Sequence, residues 1–383
     1  MSLESVDRVL EEKSKYYIRL AVSSVLHVVL YHVGIFISLF LMLLFRNSIV
    51  QVQLYYIFYL IPLQIVLMRK GRNDFLLMIL ISFILLFIFR IYMASSVISG
   101  LKDISTQAPG SIPFSKLSTV VFPMILIELV TLASLVIGLA VINLFQHEKW
   151  GMLYKLLGVT AGAALVGILM VLALNTDKTF VETMQKLFLE VFQYFRTLMA
   201  ELPDLKEPLV EEGIKPLIDV DPSLLLKGFW HYVLGGFIFG YFTVLSFSWY
   251  FGSILGNRSL GRTPRIIRLS QVRLPDFFVW PLIAFWTIIL LSRFVDFYGI
   301  DIVAWNGGFV FLALFGLQGL GILRFLMDRY QVLKRINMLF FVIIFIVLIF
   351  PPLMIILFVL IPGLGVSEIW IKYRVDRKEK DEL

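Results

Sequence analysis

Residues 117–145 read LSTVVFPMILIELVTLASLVIGLAVINLF, a run of 29 residues with one ionisable side chain, Glu128, in twelfth place. The hydrocarbon core of a bilayer is crossed by about 20 apolar residues of helix. A membrane β-strand would instead alternate polar and apolar positions over a short segment, which this run does not do. It predicts a membrane-crossing helix, and the rest of the chain has the same character. Of 383 residues, 59% are hydrophobic and 16% charged, against roughly 25% charged in a soluble globular protein. The composition excludes a soluble enzyme and predicts an all-α, polytopic integral membrane helical bundle.

Further apolar runs lie at 20–45, 52–68, 75–89, 152–174, 224–255, 277–291 and 303–323, and a last block extends over 336–371 with Pro351 and Pro352 near its middle. Paired prolines remove two donors and disfavour α geometry at the first of them, so the block reads as two spans joined at a turn. That makes about ten spans, with nine as the alternative. Basic residues decide between them. With ten spans and the N-terminus inside, the inner segments hold 23 of the 34 lysines and arginines, and both termini are cytoplasmic, as the positive-inside rule requires. The net charge of +7 is then a topology signal. The closing Lys380-Asp381-Glu382-Leu383 spells a luminal retrieval signal, but on a cytoplasmic tail it is a coincidence of letters. The first 19 residues carry four acids and four bases, and the apolar run after them is too long for the core of a cleavable signal, so the first span stays. With no cysteine in the chain, disulfides, thiolate metal sites and S-acylation are excluded.

The chain reads as a single integral membrane domain, 1–383, with two extramembrane features. Segment 175–222 is outside, with ten acids and five bases. It opens with Phe180, Met184, Leu187, Phe188, Val191, Phe192, Phe195 and Leu198 at helical spacing, which predicts an amphipathic helix on the outer surface, followed by an acidic connector rich in proline. Segment 253–277 is a basic inner loop with Arg258, Arg262, Arg265, Arg268 and Arg273, suited to anionic lipid headgroups or a cytoplasmic protein partner. No aromatic residues interleave these arginines, so nucleic acid is not expected. Gly256 to Thr263 resembles a phosphate-binding loop with Arg262 in the lysine position, but a membrane helix precedes it where the motif needs a strand.

Polar side chains at bilayer depth are costly and therefore informative. Glu128 shares a helix face with Thr131, Ser134 and Gly138, while Ser24, His27, Tyr31 and Gly34 recur at helical spacing in the first span. His27 and His32 stand five apart, which is poor metal geometry. Gln53, Tyr56 and Gln64 form a polar seam in the second span, whereas Arg90 and Arg293 stand at the ends of their apolar runs and are expected to snorkel. The pairs Gly158/Gly162, Ala163/Gly167 and Gly236/Gly240 have the spacing that lets helices approach closely. No metalloprotease motif, nucleophile elbow or ligand cluster is present, and Asp219-Val-Asp221 is a weak signal in so acidic a segment. No catalytic residue, metal or cofactor is expected, and the chain is not read as an enzyme.

The C-terminal portion, 273–374, carries Leu274-Pro275, Trp280-Pro281, Asn306, Leu317-Gln318-Gly319-Leu320, Gly363-Leu364-Gly365, Glu368, Trp370, Tyr373 and Arg374; Ile61-Pro62-Leu63 and Arg69-Lys70-Gly71 accompany them earlier. On these residues the chain resembles the YybS-like family of predicted bacterial membrane proteins of unknown function. Trp280, Gln318, Gly319, Glu368, Trp370 and Arg374 are its motif residues. Lys372 stands where that family usually has a second acid. The resemblance implies a bacterial cytoplasmic membrane location. It also implies a remote similarity to the substrate-binding S-components of energy-coupling-factor transporters, which bind a small molecule from outside and dock an ATPase module from inside.

Two functions follow as expectations. One is a small-molecule binding or transport subunit, its cavity lined by His27, Tyr31, Glu128, Thr131, Asn306 and Gln318. The other is a non-transporting scaffold or regulator of envelope assembly or signalling.

Overall fold

A computed structural model of the chain describes residues 3–45, 55–105, 114–144, 151–176, part of 178–189, 222–262, 269–295, 300–329 and 351–374. Helices α1 (Leu3–Phe45), α2 (Tyr55–Lys70), α3 (Arg72–Ser105), α4 (Phe114–Leu144), α5 (Met152–Thr176), α6 (Pro222–Ser259), α7 (Val279–Leu291), α8 (Ile300–Arg329) and α9 (Pro351–Ser367) follow in order. Among the described residues there is no strand. Six helices contain a stretch long and apolar enough to cross a membrane: Lys13–Ile35, Arg72–Met93, Ile125–Leu144, Met152–Met170, Gly236–Ser259 and Ile300–Arg329. Asp276–Leu291 is a shorter apolar helix, and α2, at 16 residues with Pro62 inside, is short as well. Helix α9 begins at Pro351, where a missing N–H removes no intrahelical bond. The first half of block 336–371 lies outside the described residues, as do the eight apolar stripe positions from Phe180 to Leu198.

Helix boundaries follow local chemistry. At the α2–α3 corner Gly71 adopts φ +92°, a left-handed conformation that glycine takes at little cost. Its N–H closes on the Leu67 carbonyl at 3.2 Å, and its own carbonyl accepts from Phe75 at 3.2 Å. Arg69 and Lys70 occupy the last turn of α2 and Asp74 the first turn of α3, each suited to the dipole end it faces. Helix α6 ends similarly, at Gly261 with φ +65°. There the amides of Leu260, Gly261 and Arg262 bond back to Asn257 and Arg258 carbonyls at 3.0–3.1 Å. The phosphate-loop-like letters thus lie at a helix C-terminus with amides already engaged, whereas phosphate binding uses the free amides of a helix N-terminus.

Burial is inverted relative to a soluble protein. Ser24, His27, Gln64, Ser82 and Asn306 are fully buried, while Leu80, Ile88, Ile137 and Leu165 are exposed. Polar groups facing inward and apolar groups outward are what a hydrocarbon solvent imposes.

The chain divides into two compact units. The first comprises Met1–Phe40, Val50–Leu234 and Thr243–Arg262, and so holds α1 to α5 and most of α6. The second comprises Leu41–Ile49, Gly235–Phe242 and Thr263–Leu383, with α7, α8 and α9. Close approach within each unit is made at Gly252, Gly256, Gly319 and Gly365. In the first, a Cβ on Gly252 or Gly256 would strike Gln64 or Met68 of α2. In the second, a Cβ on Gly319 would strike the Ile361 carbonyl, and one on Gly365 the Phe315 carbonyl. Gly162 and Gly236 have open space at that point, so neither makes the close approach its spacing suggested.

This contrast is testable. Gly319→Ala pushes a methyl into backbone and should cost about 1–3 kcal/mol, read as a lower Tm in detergent. Gly162→Ala should leave Tm unchanged or raise it, since a helical alanine is favoured over glycine by about 1 kcal/mol.

Candidate functional site

Two ties hold α1 to its neighbours in the first unit. Near one end, the Tyr16 hydroxyl donates to the Asp74 carboxylate of α3. Fifteen residues further along α1, the Tyr31 hydroxyl donates to Glu128 Oε1 of α4, and the Arg90 guanidinium of α3, sixteen residues beyond Asp74, donates to the same oxygen. At 1.5 Å per residue the two levels are about 23 Å apart. The Arg90–Glu128 pair therefore lies far along α3 from the corner that carries Arg69, Lys70 and Arg72, toward the other end of the apolar stretch Arg72–Met93.

Arg90 was expected to snorkel from a helix end. Instead α3 continues to Ser105, which places Arg90 in the helix interior and pairs it with the one acid of the next span. Each partner's side chain is about one-fifth exposed, at 22% and 20%. The Arg90 guanidinium carbon is also 5.9 Å from the Tyr31 ring centre, in cation–π range. Tyr31 is fully buried among aromatic rings, with Tyr55 at 5.4 Å, His32 at 5.3 Å and Tyr59 at 5.8 Å.

His27 stacks on Tyr59 with ring centres 4.0 Å apart, and its Nε2 contacts the Tyr59 carbonyl. A carbonyl only accepts, so Nε2 carries the proton and Nδ1 is the bare nitrogen. His32 has the reverse arrangement, with Nδ1 donating to the Val28 carbonyl at 2.8 Å and Nε2 bare. Among the described residues, the buried side-chain atoms without a hydrogen-bond partner are His27 Nδ1, His32 Nε2, the Arg90 Nε–H and the Ser246 and Ser248 hydroxyls of α6. Two bare imidazole nitrogens on α1, the helix that carries Tyr31, thus accompany an ion pair of zero net charge whose guanidinium keeps one unpartnered N–H. Thr131, one turn along α4 from Glu128, is buried, and its carbonyl accepts from Ser134 at 2.8 Å.

The other polar clusters are closed. In the first unit, Gln64 and Asn143 exchange amide hydrogen bonds at 3.0 and 2.8 Å, and Gln64 also donates to Ser253 at 2.9 Å, joining α2, α4 and α6. In the second unit, Gln318 accepts from the Leu274 N–H at 2.8 Å and donates to the Gly365 carbonyl at 3.1 Å and to Glu368 at 3.0 Å. Arg374 grips Glu368 with two nitrogens, Nε at 2.7 Å, and donates to the Ser270 carbonyl at 2.9 Å. Asn306 accepts from the amides of Ile238 and Phe239 at 2.8 and 3.3 Å and donates to the Ile302 carbonyl at 2.9 Å. Of the other motif residues, Gly319 makes the close approach described above, while Trp280 and Trp370 are largely exposed.

His27, Tyr31, Glu128 and Thr131 therefore fall in the first unit, while Asn306 and Gln318 fall in the second with their polar atoms engaged there. Arg90 is the site residue that sequence reasoning missed. The available signal was that a lone intramembrane acid calls for a cation, and Arg90 is a base with apolar neighbours on both sides, Phe89 and Ile91.

Residues 111–364, about two thirds of the chain, match the family DUF2232, described as predicted membrane proteins. The chain belongs to this family. The match begins well before the C-terminal third and takes in Glu128, the acidic segment 175–222 and the basic loop 253–277. No curated protein and no solved structure matches the chain. What the DUF2232 match establishes is a membrane protein of unknown function, in agreement with the apolar helices and inverted burial of the structure.

Both ion pairs of this DUF2232 protein should be sensitive to truncation. Arg374→Met leaves Glu368 stranded at 9% exposure and should cost about 3–5 kcal/mol, as for other buried pairs. Arg90→Met should likewise destabilise the protein, because it leaves Glu128 without its cation among apolar helices. Denaturant titration in mixed micelles measures both, and adding Glu368→Gln or Glu128→Gln to the respective variant should recover part of each loss.

Proposed function

We propose that the chain is a membrane-embedded binding subunit for a small polar molecule, with Arg90, Glu128, Tyr31, His27 and His32 as its site. The observation that supports this reading is an ion pair within apolar helices whose Arg90 Nε–H has no partner, with unpartnered nitrogens on His27 and His32 of the helix that carries Tyr31. A molecule with an acceptor for Arg90 Nε and donors for the histidine nitrogens would complete it. The level of the pair, remote from the basic α2–α3 corner, suits entry from the outer face of the expected topology.

The resemblance of the C-terminal portion to the YybS-like family, and through it to S-components, extends this reading to transport. The chain would then supply recognition, and an ATPase module meeting the basic inner loop would supply the driving force. Ten spans, cytoplasmic termini and a bacterial cytoplasmic membrane belong to the same proposal.

A second reading has one observation in its favour. Asn306 and Gln318 are occupied by backbone and by Glu368, as in a scaffold whose polar residues hold helices together. Such a protein would recruit partners through segments 175–222 and 253–277.

Thermal shift in detergent against a panel of polar metabolites separates the two. Binding predicts a saturable rise in Tm for a small set of compounds, lost in Glu128→Gln and in Arg90→Lys. Absence of any shift across the panel in the wild-type chain, together with copurifying proteins that survive both substitutions, would decide for the scaffold.

A further inference from the structure

The second unit carries an apolar groove of about 460 Å³, within the range of about 300–1,000 Å³ usual for small-molecule sites. Trp286 of α7 and Phe309 of α8 form one wall, and Val359, Gly363, Val366 and Trp370 follow one another along the other. Positions 359, 363, 366 and 370 share one face of α9 and the turn beyond it. They span about 16 Å at helical rise, close to half the thickness of the hydrocarbon core. The groove is open along its side, and Val359 and Trp370 are mostly exposed.

Its two ends differ. The end at Val359 is apolar. The end at Trp370 is followed two residues later by exposed Lys372, and Arg273 reaches the same place, donating to the Arg374 carbonyl at 2.8 Å. The Ser367 and Tyr373 hydroxyls meet there at 3.1 Å. Glu368 is committed to Arg374 and Gln318; among the described residues Asp276, three positions after Arg273, is an exposed acid. Tryptophan prefers the headgroup level of a bilayer, and each cation near an anionic surface attracts it. A chain-length apolar trough ending in a tryptophan, two hydroxyls and two cations has the polarity of one phospholipid molecule.

The geometry points to a specific lipid site: the α7–α8–α9 groove holds one acyl chain of an anionic phospholipid, with its phosphate at Lys372 and Arg273. This is separate from the polar site of the first unit and does not depend on it. Gly363 supplies the means of testing it. It is exposed, and a Cβ there meets nothing within 4 Å, so a larger side chain enters the groove without displacing protein.

The full chain, purified in detergent, is titrated with phosphatidylglycerol carrying brominated acyl chains, which quench tryptophan fluorescence on contact. Brominated phosphatidylcholine is the control. Expected are saturable quenching by phosphatidylglycerol, a smaller saturable amplitude in Trp286→Phe with the remainder from Trp370, and a midpoint raised at least threefold in Lys372→Gln for phosphatidylglycerol alone. Gly363→Leu should abolish the saturable phase while Tm in lipid-free detergent stays level or rises. Equal quenching by both lipids, unaffected by Gly363→Leu, would mean a non-specific lipid annulus and overturn the proposal. So would a wild-type dimer in size-exclusion light scattering that Gly363→Leu converts to a monomer, because the groove would then seat a second copy of the chain.

Discussion

Inside a bilayer no water is available to a polar side chain, and every helix of this protein answers to that constraint. The Gln318–Glu368–Arg374 cluster shows its consequence most fully. Gln318 on α8 satisfies a backbone amide at Leu274 and a carbonyl at Gly365, and the carboxylate it touches is held bidentately by Arg374, which reaches back to Ser270. One amide side chain and one ion pair thereby fasten the segment 269–275 and the chain after α9 onto α8. The backbones can come close enough only because Gly319 and Gly365 lack side chains at the crossing. The Gln64–Asn143–Ser253 cluster does the same for α2, α4 and α6, with Gly252 and Gly256 as the clearance.

Against these closed clusters the Tyr31–Arg90–Glu128 group stands out. Its ion pair is neutral overall, so it can persist among apolar helices, but the guanidinium Nε and the bare nitrogens of His27 and His32 on the helix of Tyr31 remain unpaired among the described residues. A group held only for packing gains stability by closing such atoms, as the other clusters do. The difference between closed and incomplete satisfaction is what separates the structural clusters from the proposed site. The aromatic wall of Tyr31, Tyr55 and Tyr59 keeps its floor rigid and apolar.

Much of this was legible in the sequence, for a local reason. Hydropathy over 20 residues needs no tertiary information, so most membrane runs were read within a few residues of the helices observed. The start of α1 and the end of α3 were not, because a helix may continue past charged residues, as α3 does where Arg90 finds a partner. Glu128, His27 and Tyr31 could be singled out from the cost of burying them, but the cation that accompanies them sits on another helix. The small residues show the same limit from the other side. Spacing marked Gly162 and Gly236, yet contact is made at Gly252, Gly256, Gly319 and Gly365, since spacing alone does not say which face of a helix meets a neighbour.

By itself, then, the sequence determined the solvent: an apolar, charge-poor chain with long uninterrupted runs can bury its backbone only as membrane helices, and its polar residues must turn inward. Tertiary structure decided the pairings. The Arg90–Glu128 pair joins residues 38 positions apart, and the Gln64–Ser253 bridge residues 189 apart. No local pattern encodes that separation; it emerges only when the helices pack.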